Sequence, residues 1–188
     1  MDYVNTRYWR GSETATETLD GAAALAAWLG REGGAPAAWA DRLARLARDN
    51  PPAAQRLLDR ALELRETIHR LFVARAAGEA VPGEDIARLN AALVQAPSRG
   101  RLDGQSPGWI VPAGAIGAER LLAPVLWSAA DLLLQGDAAR IRQCANEKCR
   151  WVFVDASKAG SRRWCTMNSC GNRAKAQRHY HKAKAVKN

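Results

Sequence analysis

Four cysteines carry most of the chemistry this chain can do: Cys144, Cys149, Cys165 and Cys170, spaced C-x4-C, fifteen residues, C-x4-C. Two close pairs of thiols are what tetrahedral zinc requires, each pair sitting on one tight turn. The x4 loops are wider than the commoner x2 spacing. Trp151 and Trp164 lie beside the pairs, placed to shield a metal from water. Gly171, directly after the fourth cysteine, permits a backbone turn that a side chain would obstruct. Four thiolates and one Zn2+ sum to −2, and surrounding cations offset that charge and favour the thiolate form. Three other readings stay open: disulfides, a redox switch that releases zinc on oxidation, and a mixed site using His179 or His181. On a helix those two histidines point to nearly opposite faces, so both cannot bind one ion.

Charge marks the same region. The whole chain carries a formal +9, but residues 140–188 alone hold 13 Lys/Arg against 2 Asp/Glu. The stretch "NSCGNRAKAQRHYHKAKAVK" reads as a helix whose first turn is pinned by Cys170. Lys175, Arg178, His179 and Lys182 fall on one face; Arg173, Tyr180 and Lys184 fall on the other. A short helix this cationic is marginal alone in water, so the metal would fix its start and orient its charges. Such a helix suits phosphate contact and insertion into a major groove. Two structural alternatives compete: Arg173 could pair with Asp155 inside the module, or the tail could be merely solvated.

The elements that must position these groups come next. With 188 residues the chain accommodates one domain and a small module. Residues 1–139 read as mainly α. Leu25, Trp28 and Leu29 share a helical stripe that Gly30 should stop. Pro36 opens a helix carrying Trp39, Leu43 and Leu46. Pro51–Pro52 ends it and starts the strongest helix, with Leu57, Ala61, Leu64, Ile68 and Leu71 on one side and Gly78 at its close. A shorter helix after Pro82 carries Ile86, Leu89 and Leu93. Turn residues in 96–114 predict a small hairpin or loop. A last helix, about 117–135, contains Pro124, which should start or kink it. Gly136–Asp137 marks the boundary to the module at 140–188. There "RWVFVD" is strand-like and "ASKAGS" a turn, as expected for a zinc-bound β-hairpin and helix.

No apolar run reaches the ~20 residues needed to span a bilayer, and the polar start lacks the apolar core of a signal peptide. A cytoplasmic protein with reduced thiols is expected. The first part has no glycine-rich phosphate loop, no paired histidine ligands and no nucleophile elbow. Its single histidine, His69, reads as a packed or surface residue. An enzyme is therefore not expected.

The pattern C-x4-C-x-x-x-F-x-D-x-S … RRWC-x-M-x-x-CGNR-x-K resembles the CGNR zinc finger family, over about residues 140–184. The preceding part, with "VNTR" and "LDGAAALAAWL", resembles the ABATE domain that usually precedes this finger. The resemblance implies a helical first domain, a zinc-binding second one, and a stress-induced bacterial transcription regulator. It carries the four zinc ligands onto Cys144, Cys149, Cys165 and Cys170, and the basic positions onto Arg162, Arg163, Arg173 and Lys175. With Arg178 and Lys182 from the helix pattern, these are the candidate nucleic-acid contacts. Double-stranded DNA is the expected partner. An RNA-binding module, with Trp164 or Tyr180 stacking on bases, and a protein adaptor with purely structural zinc are the alternatives. A homodimer and a small-molecule effector stay open.

Overall fold

One long helix organises the molecule. The computed structural model describes residues 1–33, 36–99, 114–134 and 140–185, without the side chains of 181–185. Helix α3 (Pro51–Ala77) runs 27 residues. Asn50 caps its start, its side chain accepting from the Ala53 amide at 3.1 Å, and two prolines fill the first turn where amide donors are dispensable. Gly78 ends it in the left-handed conformation, φ 73°, which glycine adopts without steric cost.

The expected stripe of α3 is buried in full: Leu57, Ala61, Leu64, Ile68 and Leu71 all face the core. Helices α1 (Ala22–Arg31), α2 (Ala37–Asp49), α4 (Gly83–Gln95) and α5 (Ala118–Leu121) pack around α3, and α6 (Ala123–Leu134) packs on α4. Two sequence expectations shift in detail. Helix α1 runs through Gly30 rather than stopping there, and ends at Arg31. The last helical stretch is two helices broken at Leu122, with Pro124 in the first turn of the second. The hairpin expected in 96–114 and the Gly136–Asp137 boundary fall largely or wholly outside the described residues. No described helix is long and apolar enough to cross a membrane.

Two small antiparallel sheets complete the fold. Strands β1 (Arg7–Tyr8) and β2 (Thr16–Glu17) pair near the N-terminus, after a 3-10 turn at Val4–Thr6. Strands β3 (Ile141–Gln143) and β4 (Val152–Val154) pair in register Ile141 to Val154. The hairpin thus joins the segment before the first cysteine pair to "RWVFVD", and the pair sits at its turn. Both strands lie against α3. Ile141 and Val152 are fully buried in the same apolar core as Leu64 and Leu71.

A buried ionic cluster ties the N-terminal segment to α3. Arg65, 2% exposed, donates to Glu17 at 2.5 and 2.7 Å, to Glu66 at 3.0 Å and to Thr6 Oγ1 at 3.0 Å. Arg10 donates to Glu66 at 2.6 Å and to the Val4 carbonyl at 2.9 Å. A buried guanidinium survives only when paired and hydrogen-bonded in this way.

Candidate metal centre

The β3–β4 hairpin presents the first cysteine pair because its turn is held from inside. Asn146 caps the turn: its side chain accepts from the Lys148 amide at 3.1 Å, and its carbonyl accepts from Cys149 at 2.8 Å and Arg150 at 3.2 Å. The Cys144 amide donates to the Trp151 carbonyl at 2.8 Å, continuing the ladder. Residues 167–171 form one π-helical turn that leads directly into α7 (Asn172–Ala185). Thr166 caps this turn, accepting from the Ser169 amide at 3.3 Å. An amide from Ala145 to the Arg163 carbonyl, 2.9 Å, ties the two turns together.

All four thiols are buried and converge, their sulfurs within 4.8 Å of one another. Cys149 Sγ to Cys165 Sγ and Cys165 Sγ to Cys170 Sγ are each 3.7 Å. A tetrahedron with Zn–S bonds of 2.3 Å has edges of about 3.8 Å. The spacing fits zinc, and the donor set is the one zinc takes in structural sites. The four thiols are free rather than bridged, and among the described residues no histidine joins the cluster. His179 is exposed on α7.

The electrostatics point the same way. Hydrogen bonds from Cys149 and Cys165 pull the Cys144 thiol well below its usual range, and the same bonds push Cys149 and Cys165 up. Four sulfurs this close cannot all carry charge without a cation among them; a dication lets them do so. Around the sulfurs Phe153 is buried, and Trp9, Trp151 and Trp164 are half-buried. The Asn146 amide donates to Cys170 Sγ at 3.4 Å, orienting that sulfur from outside. Gly171 has no left-handed backbone; a Cβ there would meet the Met167 sulfur at 2.6 Å and Trp164 at 3.4 Å. The close contact is with the movable end of the exposed Met167 side chain, so neither backbone angle nor rigid packing demands glycine here.

The six candidate cations divide. Arg162 folds back on the module: its Nε donates to the Trp164 carbonyl at 2.9 Å, a second nitrogen donates to the Cys165 carbonyl, and the guanidinium lies 4.5 Å from the Phe153 ring centroid. Arg163 lies over Trp164 and Arg173 over Trp9, at 5.3 and 4.4 Å. Lys175 and Arg178 are exposed on α7. Lys182 is on the same helix, its side chain outside the described residues. Asp155 does not pair with Arg173. It is fully buried and accepts from the Ser157 amide at 2.9 Å and the Arg162 amide at 2.8 Å. Bonds from Ser157, then Arg162, hold its carboxyl below the usual range.

Sequence reasoning missed the N-terminal segment. The Asn5 side-chain carboxamide donates to the Val152 carbonyl at 2.8 Å and accepts from the Val152 amide at 3.1 Å, satisfying the outer edge of β4. Trp151 Nε1 donates to the Arg7 carbonyl at 3.2 Å. The Gly11 amide donates to the Lys148 carbonyl at 3.2 Å, and a Cβ at Gly11 would stand 1.8 Å from the Glu147 carbonyl oxygen. Trp9 and Arg150, both with φ 54°, flank this contact. The "VNTR" motif carried Asn5 in plain view, but nothing local in it announces a partner 147 residues away.

Comparison with protein families finds two matches in succession along the chain. The family model ABATE, described as "Putative stress-induced transcription regulator", matches residues 1–136. The CGNR zinc finger model matches residues 140–183. No curated protein matches the chain. The chain belongs to the ABATE family and carries a CGNR zinc finger behind the ABATE domain.

Proposed function

From that membership we propose that the chain is a zinc-dependent regulator of transcription that binds double-stranded DNA in the cytoplasm and is not an enzyme. The observation that carries this reading is an uncompensated cationic surface on a metal-pinned helix and on the turn before it. Among the described residues, no carboxylate forms an ion pair with Arg163, Arg173, Lys175 or Arg178. The metal site supports a structural role: Cys144, Cys149, Cys165 and Cys170 fill all four positions, leaving none for water or substrate. Helix α7 has 14 residues, about 21 Å at 1.5 Å each, a length that a major groove accepts. A single module buries on the order of 600–1,000 Å² of its own surface on DNA, so we propose that two copies act together on one operator.

The test is to select genomic duplex fragments with zinc-loaded full-length protein and measure affinity against salt. With four cations on phosphates, log K should fall against log[salt] with a slope of roughly −4. A flat dependence would sink the DNA reading, and so would stronger binding to single-stranded RNA of the same sequence. Sedimentation of the complex reads the copy number; one protein per selected site would overturn the pairing.

A further inference from the structure

Resting on the DNA-binding reading, we infer that the first domain supplies one wall of the nucleic-acid surface: the loop Trp9–Thr14 and the finger form a single groove that receives one sugar–phosphate strand. The groove has a volume of about 710 Å³; Trp9, Ser12 and Thr14 line it from the first domain, and Lys148, Arg173 and Gln177 from the finger. Glu147 is the one acidic residue of its lining.

The chemistry of both walls is that of backbone contact. The Arg173 guanidinium carbon lies 4.4 Å from the Trp9 ring centroid. A guanidinium held over a ring still offers N–H donors that can grip phosphate with two parallel bonds. Lys148 adds a second cation. The Ser12 and Thr14 hydroxyls, 3.4 Å apart and exposed, are donors of the kind that position phosphates without reading sequence.

The loop is also held in place. Gly11 lies against the knuckle backbone at Glu147 and Lys148, closer than any other residue could come. Trp9 touches both the zinc cluster and Arg173, so the metal, the loop and the phosphate-binding arginine form one unit. A finger without the first domain would keep its charges and lose the platform that aims Arg173.

The experiment uses full-length zinc-loaded protein and a selected duplex fragment. Trp9→Ala should weaken binding about tenfold, within the range of a lost cation–π platform, while Trp9→Phe should stay near wild type. Arg173→Ala should weaken binding more than Trp9→Ala does, and Trp9→Ala added to Arg173→Ala should cost little further affinity, because the ring acts on phosphate only through the guanidinium. Ser12→Ala with Thr14→Ala should weaken binding at least threefold with zinc content and helical circular dichroism unchanged, and this pair decides the matter if Trp9→Ala disturbs the finger. Folded, zinc-loaded variants that bind as tightly as wild type would overturn this inference alone. A wild type that binds no duplex at all would overturn it together with the DNA reading.

Discussion

Arg162 and Arg173 look interchangeable in the sequence, since both are cations beside a cysteine pair. Their surroundings separate them. Arg162 bonds two carbonyls of the second turn and covers Phe153, so its contribution is to the fold of the finger. Arg162→Ala should cost about 1–3 kcal/mol of stability, read as a lower midpoint in denaturant and faster zinc loss to a chelator. Lys175→Ala, on an exposed face, should stay within about 0.5 kcal/mol in stability and weaken only DNA binding. If Arg162→Ala proved neutral in stability, its bonds to the second turn would be incidental. Among the metal ligands, Cys170→Ser should abolish stoichiometric zinc, measured by atomic absorption on protein purified without chelator. The cysteines and their cation-rich setting were legible because ligand type and spacing are local properties. The partners of Asp155 and Arg173 were not, because a sequence shows which charges exist and not which amides lie nearer.

At the scale of elements, the helices of the first part were legible for a physical reason: most couple an apolar stripe of period 3.6 to a proline or glycine at one end. Helix α3 carries more than its stripe shows. Burial alone would raise the carboxyls of Glu17 and Glu66, but bonds from Arg65 and Arg10 outweigh it and hold both below the usual range. A depressed carboxylate stabilises the fold fully above its unfolded pKa and loses that contribution as pH falls through the folded value. His69, half-buried on the same helix, is lowered to about 4, first by burial and then by the charge of Arg10. The unfolded chain takes up that proton near ~6.5 and the folded one only near 4, so stability drops as pH falls between these values. Urea midpoints should therefore decline from pH 6.5 downward, before the carboxylates protonate. His69→Gln should flatten the upper part of that decline and leave the steeper acid limb in place. An unchanged profile would mean that His69 is solvated in the folded state.

Across the whole molecule, the charge asymmetry at residue 140 suggests two parts that fold separately, in which loss of zinc leaves the helical part untouched. The packing leads to a different expectation. Ile141 and Val152 are fully buried in the core that α3 builds, and Asn5 makes two bonds to the Val152 backbone. Burial of each apolar side chain contributes about 1.5–3 kcal/mol and each hydrogen bond about 1 kcal/mol. Together they amount to at least about 5 kcal/mol, against a total of roughly 5–15 kcal/mol for an ordinary domain. Metal-binding energy is folding energy for a small cysteine module, and here the module's hairpin is also part of the main core. Removing zinc with a chelator should therefore lower the melting of the helices themselves, by about 10 °C or more for a chain of this size. The helical signal at 222 nm and the fluorescence of Trp151 and Trp164 should fall in one transition with zinc present and shift together without it. A helical melt unmoved by chelator, with only the fluorescence changed, would show that β3 and β4 can leave the core at no cost to α3.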